Sequence, residues 1–163
     1  MTDEQIEHLA TLIHDQYCHL WHQLSRSEPG IPTQSDLATK TWDDLTEPQR
    51  EANRWQARRY VTRLMARDLV IVEATDGRAL EVDFDADEVD AMARAEHDGW
   101  AAQKYAAGWK FGTPRNDALL IHDLLRPWDE LTEPQRELDR NPVRMMLGNL
   151  AAVGLAVAPL ENG

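Results

Sequence analysis

The ten residues Trp42-Asp43-Asp44-Leu45-Thr46-Glu47-Pro48-Gln49-Arg50-Glu51 return as Trp128-Asp129-Glu130-Leu131-Thr132-Glu133-Pro134-Gln135-Arg136-Glu137, 86 positions later and with one conservative change. A repeated sequence specifies a repeated supersecondary unit, so this match constrains the fold more than any other feature. The correspondence continues with Asn53-Arg54 against Asp139-Arg140, and with Leu69-Val70-Ile71-Val72 against Leu155-Ala156-Val157-Ala158. Upstream the offset is 83: Ile6, Ala10, His14, Asp15 and Tyr17 face Val89, Ala93, His97, Asp98 and Trp100. The second copy therefore carries a loop three residues longer than the first. The chain reads as a tandem, residues 1–82 and residues 83–163, packed as one compact unit.

Each copy predicts the same order of elements. A long helix comes first, over 3–26 and 87–107; in the first, Ile6, Leu9, Ile13, Tyr17, Leu20 and Leu24 recur at helical spacing. A loop follows, rich in turn residues: Ser27-Glu28-Pro29-Gly30-Ile31-Pro32 in the first copy, residues 108–126 in the second. Thr46 and Thr132 then read as N-caps, with Pro48 and Pro134 in the first turn, where a missing N–H costs nothing. Gln49 and Gln135 complete a capping box in each copy. The second helices run over 47–67 and 133–153, and Pro142 predicts a kink or a late start in the latter. A β-rich segment closes each copy. In the first, residues 69–74 and 79–84 predict a hairpin about Asp76-Gly77. The acidic residues 83–87 read as a short ordered connection. The fold class is thus mainly α with short β segments (α+β). Two tandem repeats, each a helix pair with a long loop and a terminal strand, pair about a pseudo-two-fold axis with the seam as a cleft.

Seventeen Lys and Arg against twenty-nine Asp and Glu leave a net charge of −12, which argues against duplex nucleic acid as a partner. No run approaches the ~18 apolar residues a membrane span needs, and the acidic start, Met1-Thr2-Asp3-Glu4-Gln5, is not a secretion signal. The single Cys18 forms no internal disulfide. These features predict a cytoplasmic protein with no membrane partner and no cofactor.

Three constellations admit more than one reading. Arg50, Arg54 and Arg58, then Arg59, Arg63 and Arg67, line a basic helix. It either steers an anion or forms a solvated face paired with Glu47, Glu51 and acidic neighbours of the other copy. Arg54 and Arg140 are expected to brace the loops. His14, Cys18 and His22 are zinc-type ligands, but about 12 Å of helical rise separates the first from the last, so one ion cannot take all three. No metal is expected. His97, between Glu96 and Asp98, suits a general base, yet His14-Asp15 repeats the pattern and suggests a structural role. The chain has no nucleophile elbow, Walker loop, HExxH or CxxC, so no enzymatic activity is expected.

The second copy reads Glu96-His97-Asp98-Gly99-Trp100, then Lys104 and Gly108-Trp109-Lys110-Phe111-Gly112. Arg115-Asn116-Asp117, His122, Pro127-Trp128-Asp129-Glu130-Leu131 and Asp139-Arg140 follow. This order resembles the ryanodine-receptor repeat, the RyR domain, over residues 89–157. The first copy keeps His14, Trp42-Asp43-Asp44-Leu45 and Asn53-Arg54, has Tyr17 in place of the tryptophan, and lacks the Gly-Trp-x-Phe-Gly string. It is read as a divergent repeat.

The resemblance implies a ligand-binding module of the bacterial or phage type. Channel function belongs to the membrane-anchored members and does not carry over. Paired repeats of the family hold an adenine nucleotide at the seam, and bacterial relatives are linked to nucleotide-derived signals in phage defence. By position the aromatic pair is Tyr17 and Trp100, with Trp21 nearby. Lys104, one helical turn beyond Trp100, and Arg115 are the phosphate or ribose candidates. Asp117 would accept from a sugar hydroxyl. Trp109 and Phe111 either wall the site or simply pack the loop. The expected function is non-enzymatic binding of a nucleotide or nucleotide-derived molecule, as a sensor or sponge. The alternative is a protein-interaction module, or homodimer contact, with a vestigial pocket and exposed Trp21, Trp42 or Trp109. A hydrolase using His97 is a third reading.

Overall fold

A computed structural model describes residues 1–27 and 36–161. Its helices are α1 (Asp3–Ser27), α2 (Glu47–Met65), α3 (Ala86–Ala106) and α4 (Glu133–Ala152). Its strands are β1 (Leu69–Glu73), β2 (Lys110–Phe111), β3 (Ile121–His122) and β4 (Leu155–Pro159). The Pro29-Gly30-Ile31-Pro32 turn expected in the first loop lies outside the described residues. No helix among the described residues is long and apolar enough to cross a membrane. The chain is mainly helical with short strands, as its sequence pattern predicts.

The helix starts follow from local chemistry. The Thr46 hydroxyl accepts from the Gln49 N–H, and the Gln49 side chain accepts from the Thr46 N–H at 2.9 Å. Thr132 and Gln135 repeat both bonds, and Asp85 with Glu88 does the same for α3. Each box satisfies donors that the first helical turn otherwise leaves unmet. Helix α4 begins at Glu133 and continues through Pro142, so the late start is not observed. The cap at Thr132 fixes the start well before the proline, which removes only one interior hydrogen bond.

All four helices feed one core. Leu9 of α1, Tyr60 and Leu64 of α2, Met92 of α3, and Val143, Met146 and Leu150 of α4 pack together with Leu155 and Val157 of β4. Each such side chain contributes about 1.5–3 kcal/mol on burial. Helix α1 packs closely on α2 and α4, and α3 on α4, whereas α2 and α3 approach less closely. At the α1–α4 crossing, Gln16 and Asn149 exchange two amide hydrogen bonds at 2.6 and 2.9 Å. Asn149 also donates to the Tyr60 hydroxyl at 3.0 Å.

The strands differ from the predicted hairpin. β1 pairs antiparallel with β4, from Leu69 opposite Pro159 to Glu73 opposite Leu155. Residues 79–84 do not return along β1; Leu80 instead bridges Val157 from the other edge of β4. Two successive turns cause this. Asp76 donates its N–H to Glu73, Ala79 donates to Asp76, and the Asp76 carboxylate accepts from the Arg78 N–H at 2.9 Å. The chain thereby leaves β1 and reaches β4 from the far side.

The arginines of the repeated segment are also reassigned. Arg50 donates to the carbonyls of Trp42 and Asp43, and Arg136 donates to those of Trp128 and Asp129. These two brace the loops, because they sit one turn past the caps and point back. Arg54 and Arg140 instead tie helices together, to Glu7 and Glu47 in one case and to Asp90 and Glu133 in the other. Arg59 and Arg63 pair with Glu96 across the α2–α3 groove.

Candidate ligand-binding site

Trp100 and Lys104 lie one turn apart on α3, and the loop after the helix folds back over them. Gly108 turns the chain at φ +87°, a left-handed conformation suited to glycine. The Trp109 N–H then donates to the Lys104 carbonyl at 3.0 Å. β2 and β3 pair in parallel, Lys110 with Ile121 and Phe111 with His122. A Cβ built on Gly112 would stand 2.6 Å from Ile121 Cγ2, so the close pairing of the two strands requires glycine there.

This pairing drives His122 inward. It is 5% exposed and edge-on to Trp100 at 4.9 Å between ring centroids, with Trp109 tilted against it at 5.9 Å. Its Nδ1 accepts from the Leu124 N–H at 3.1 Å. Burial and the neighbouring Arg115 guanidinium push its pKa down to about 4. At neutral pH it is an uncharged ring that backs the tryptophans. Lys104 Nζ stands over Trp109 at 4.4 Å from the ring centroid. Burial and Arg115 lower the Lys104 pKa, and among the described residues Lys104 makes no ion pair.

Arg115 and Asp117 form a fork at 2.6 and 3.0 Å. That bond raises the Arg115 pKa against the opposing effect of burial, and Tyr17 of α1 is close enough to add to the rise. Tyr17 from α1 and Arg115 from the second loop therefore share one neighbourhood. Trp21 is edge-on to Tyr17 at 6.0 Å and is 5% exposed. It supports Tyr17 from within and is not the exposed partner contact that the interaction-module reading requires. Phe111 is half exposed and stacks with the Arg126 guanidinium at 5.0 Å.

The structure thus gathers Trp100, Lys104, Trp109, Arg115 and Asp117 at the second loop, with Tyr17 of α1 within electrostatic reach of Arg115. Phe111 makes its contact with Arg126, and Trp21 lies in the interior. His122 joins this cluster although the sequence pattern assigned it no role in the site. Two cavities, of about 790 Å³ beside Phe84 and Arg140 and about 280 Å³ between α2 and α3, contain none of these side chains.

The remaining candidates carry structure. His97 is 2% exposed; its Nε2 stands 2.7 Å from the Arg126 carbonyl and its Nδ1 3.5 Å from Asp139. Both nitrogens face acceptors, so no ring edge is open to a substrate. Burial opposes charge on this ring, but Asp139 and the Arg126 carbonyl outweigh it and raise the pKa. His14 repeats the contact with the Lys40 carbonyl at 2.7 Å, and Cys18 faces the same oxygen at 3.7 Å. His22 is exposed. Among the described residues no group of three or more His, Cys, Asp or Glu is placed to hold a metal ion.

The RyR domain family model matches residues 78–159, which is 82 of the 163 residues. The match takes in α3, the loop with its aromatic cluster, α4 and β4, together with Leu80 that bridges β4. On this match, the chain belongs to the RyR domain family.

Proposed function

We propose that the protein binds a nucleotide or nucleotide-derived small molecule without transforming it, at the face formed by Trp100, Lys104, Trp109 and Arg115 with Tyr17 opposite. The observation that carries the reading is Lys104. An ammonium group held over an aromatic ring, beside a second cation and with no ion pair among the described residues, suits an anion attached to a flat base. Stacking contributes about 1–3 kcal/mol per base–aromatic contact. Each charge-assisted hydrogen bond adds about 1.5–3 kcal/mol. Micromolar affinity needs about 8 kcal/mol net of ordering costs, which two rings and two or three such bonds can reach. Lys104 is the first phosphate contact. Arg115 shares a phosphate oxygen while Asp117 holds its guanidinium in place and accepts from a ribose hydroxyl. Residues 1–82 and 83–163 act as tandem repeats that each supply one wall. The protein acts in the cytoplasm as a sensor or sponge for nucleotide-derived signals of the phage-defence kind.

A thermal-shift screen tests this, with ATP, ADP, AMP, ADP-ribose, cyclic ADP-ribose and cyclic dinucleotides at matched salt. A ligand at 100 times its Kd stabilises by about 2.7 kcal/mol, roughly 5–10 °C at this chain length. The expected result is a selective shift that Lys104→Gln reduces, with the nucleotide recovered intact by chromatography. A flat panel on a cooperatively folding protein overturns the reading. It would favour a protein-interaction module, for which Phe111, Leu119 and Leu120, exposed at 50%, 67% and 38% on the same loop, form the apolar surface.

A further inference from the structure

The two inter-half helix crossings have diverged in a telling way. At the α1–α4 crossing, Gln16 and Asn149 close the contact with paired amides. At the offsets of 83 and 86, Gln16 corresponds to Gly99, Leu12 to Ala95, Ile13 to Glu96 and Asn149 to Arg63. The α2–α3 crossing thus carries smaller side chains at two of these positions and charged ones at the other two. The outcome is a groove of about 280 Å³ lined by Met92 and Ala95 and by Arg59, Arg63 and Arg67. A Cβ on Gly99 would come no closer than 4.0 Å to Arg59 Nη2, so a larger side chain has room there.

The guanidiniums of this groove crowd onto few carboxylates. Glu96 takes both Arg63, at 2.6 Å, and Arg59, at 3.1 Å. Glu88 faces Arg67 at 3.7 Å. Three guanidiniums thus share two directly paired carboxylates, with Asp139 close enough to act on Arg63. Arg63 is only 8% exposed, and the Nε groups of Arg59 and Arg63 are buried with no hydrogen-bond partner among the described residues. A buried donor without an acceptor is destabilising, and structures rarely leave two side by side.

We infer that the α2–α3 groove is a second binding site, for an organic carboxylate with a short apolar body. Two guanidiniums side by side suit the two oxygens of a carboxylate. The carboxylate bridges the guanidiniums, and the apolar body lies over Met92 and Ala95. The site stands apart from the Trp100–Lys104 cluster and does not depend on a nucleotide binding there.

The test is a methyl NMR titration of protein labelled at the methionine methyls, with hexanoate, acetate and inorganic phosphate at constant ionic strength. Hexanoate should shift the Met92 methyl saturably and bind at least about tenfold more tightly than acetate, because its extra methylenes bury against Met92 and Ala95. Arg59→Gln should weaken hexanoate about tenfold by removing a charge-assisted bond. Ala95→Leu, which restores the bulk present at Leu12, should abolish the shift. Gly99→Gln fills the same space and gives the same reading if the leucine variant does not fold. No saturable shift, equal affinity for acetate or phosphate, or hexanoate binding that persists with the groove filled would each overturn the site.

Discussion

His97 on α3 and Asp139 on α4 stand 3.5 Å apart, while the corresponding residues of the first half are His14 and Asn53. The first half has a histidine whose Nδ1 is buried without a partner, and its asparagine donates to the Gln49 carbonyl instead. The second half thus sets a histidine against a carboxylate, whose own pKa burial raises, where the first half has no such contact among the described residues. Asp139→Asn should destabilise the protein by about 1–3 kcal/mol near pH 6. The His97 pKa is raised above 6.5, so its contribution is complete below that value and fades as pH rises through the folded value. Urea unfolding of both proteins at about pH 6 and about pH 8.5 checks this. A cost that does not change with pH would remove the pair from the account.

His122 behaves in the opposite sense. Its pKa lies near 4 in the folded chain against 6.5 for the free side chain. The contribution is present above 6.5 and lost as pH falls toward 4, with (6.5 − 4) × 1.36 giving about 3 kcal/mol as the full scale. His122→Asn keeps an acceptor for the Leu124 N–H and has no such proton to bind. The stability difference between wild type and variant should therefore narrow between pH 6.5 and 4, as denaturant melts across that range would record.

Two tryptophans on different helices should respond very differently to truncation. Trp21 is 5% exposed and Trp55 is 42% exposed. Trp21→Ala opens a cavity behind Tyr17 and should cost about 3–5 kcal/mol. Trp55→Ala removes a ring that carries the Arg59 guanidinium at 4.9 Å on the surface and should cost about 1 kcal/mol or less. Comparable losses in the two melting curves would contradict the burial difference.

Gly112→Ala places a methyl against Ile121, close to the backbone of β3, where little can yield. A loss of about 1–3 kcal/mol is expected. The near-ultraviolet circular dichroism of the Trp100–His122–Trp109 cluster should change with it. An unaltered spectrum with unaltered stability would mean that the loop accommodates the methyl freely.

What could be read in advance was local. Caps at Thr46 and Thr132 need only residues three apart, and Trp100 and Lys104 share a helical face by spacing alone. The pairing of β1 with β4 was not legible, because Val70-Ile71-Val72 fits a hairpin partner and a distant strand equally well. The turn at Asp76 decided it through one carboxylate. Trp21 follows Tyr17 by four residues, which places the two rings on one side of α1. The burial of Trp21 depends on neighbours that helical spacing does not reveal. His122 became visible only once β2 and β3 had pulled it inward beside Arg115.

Strand β4 lies between β1 and Leu80, both drawn from the first 80 residues. During synthesis these edges wait for residues 155–159 to emerge before either can pair. The ladder therefore closes late and over a long loop, a slow step by topology. Once closed, it makes the opening of either half disrupt the other, so the chain should lose its structure in a single cooperative transition.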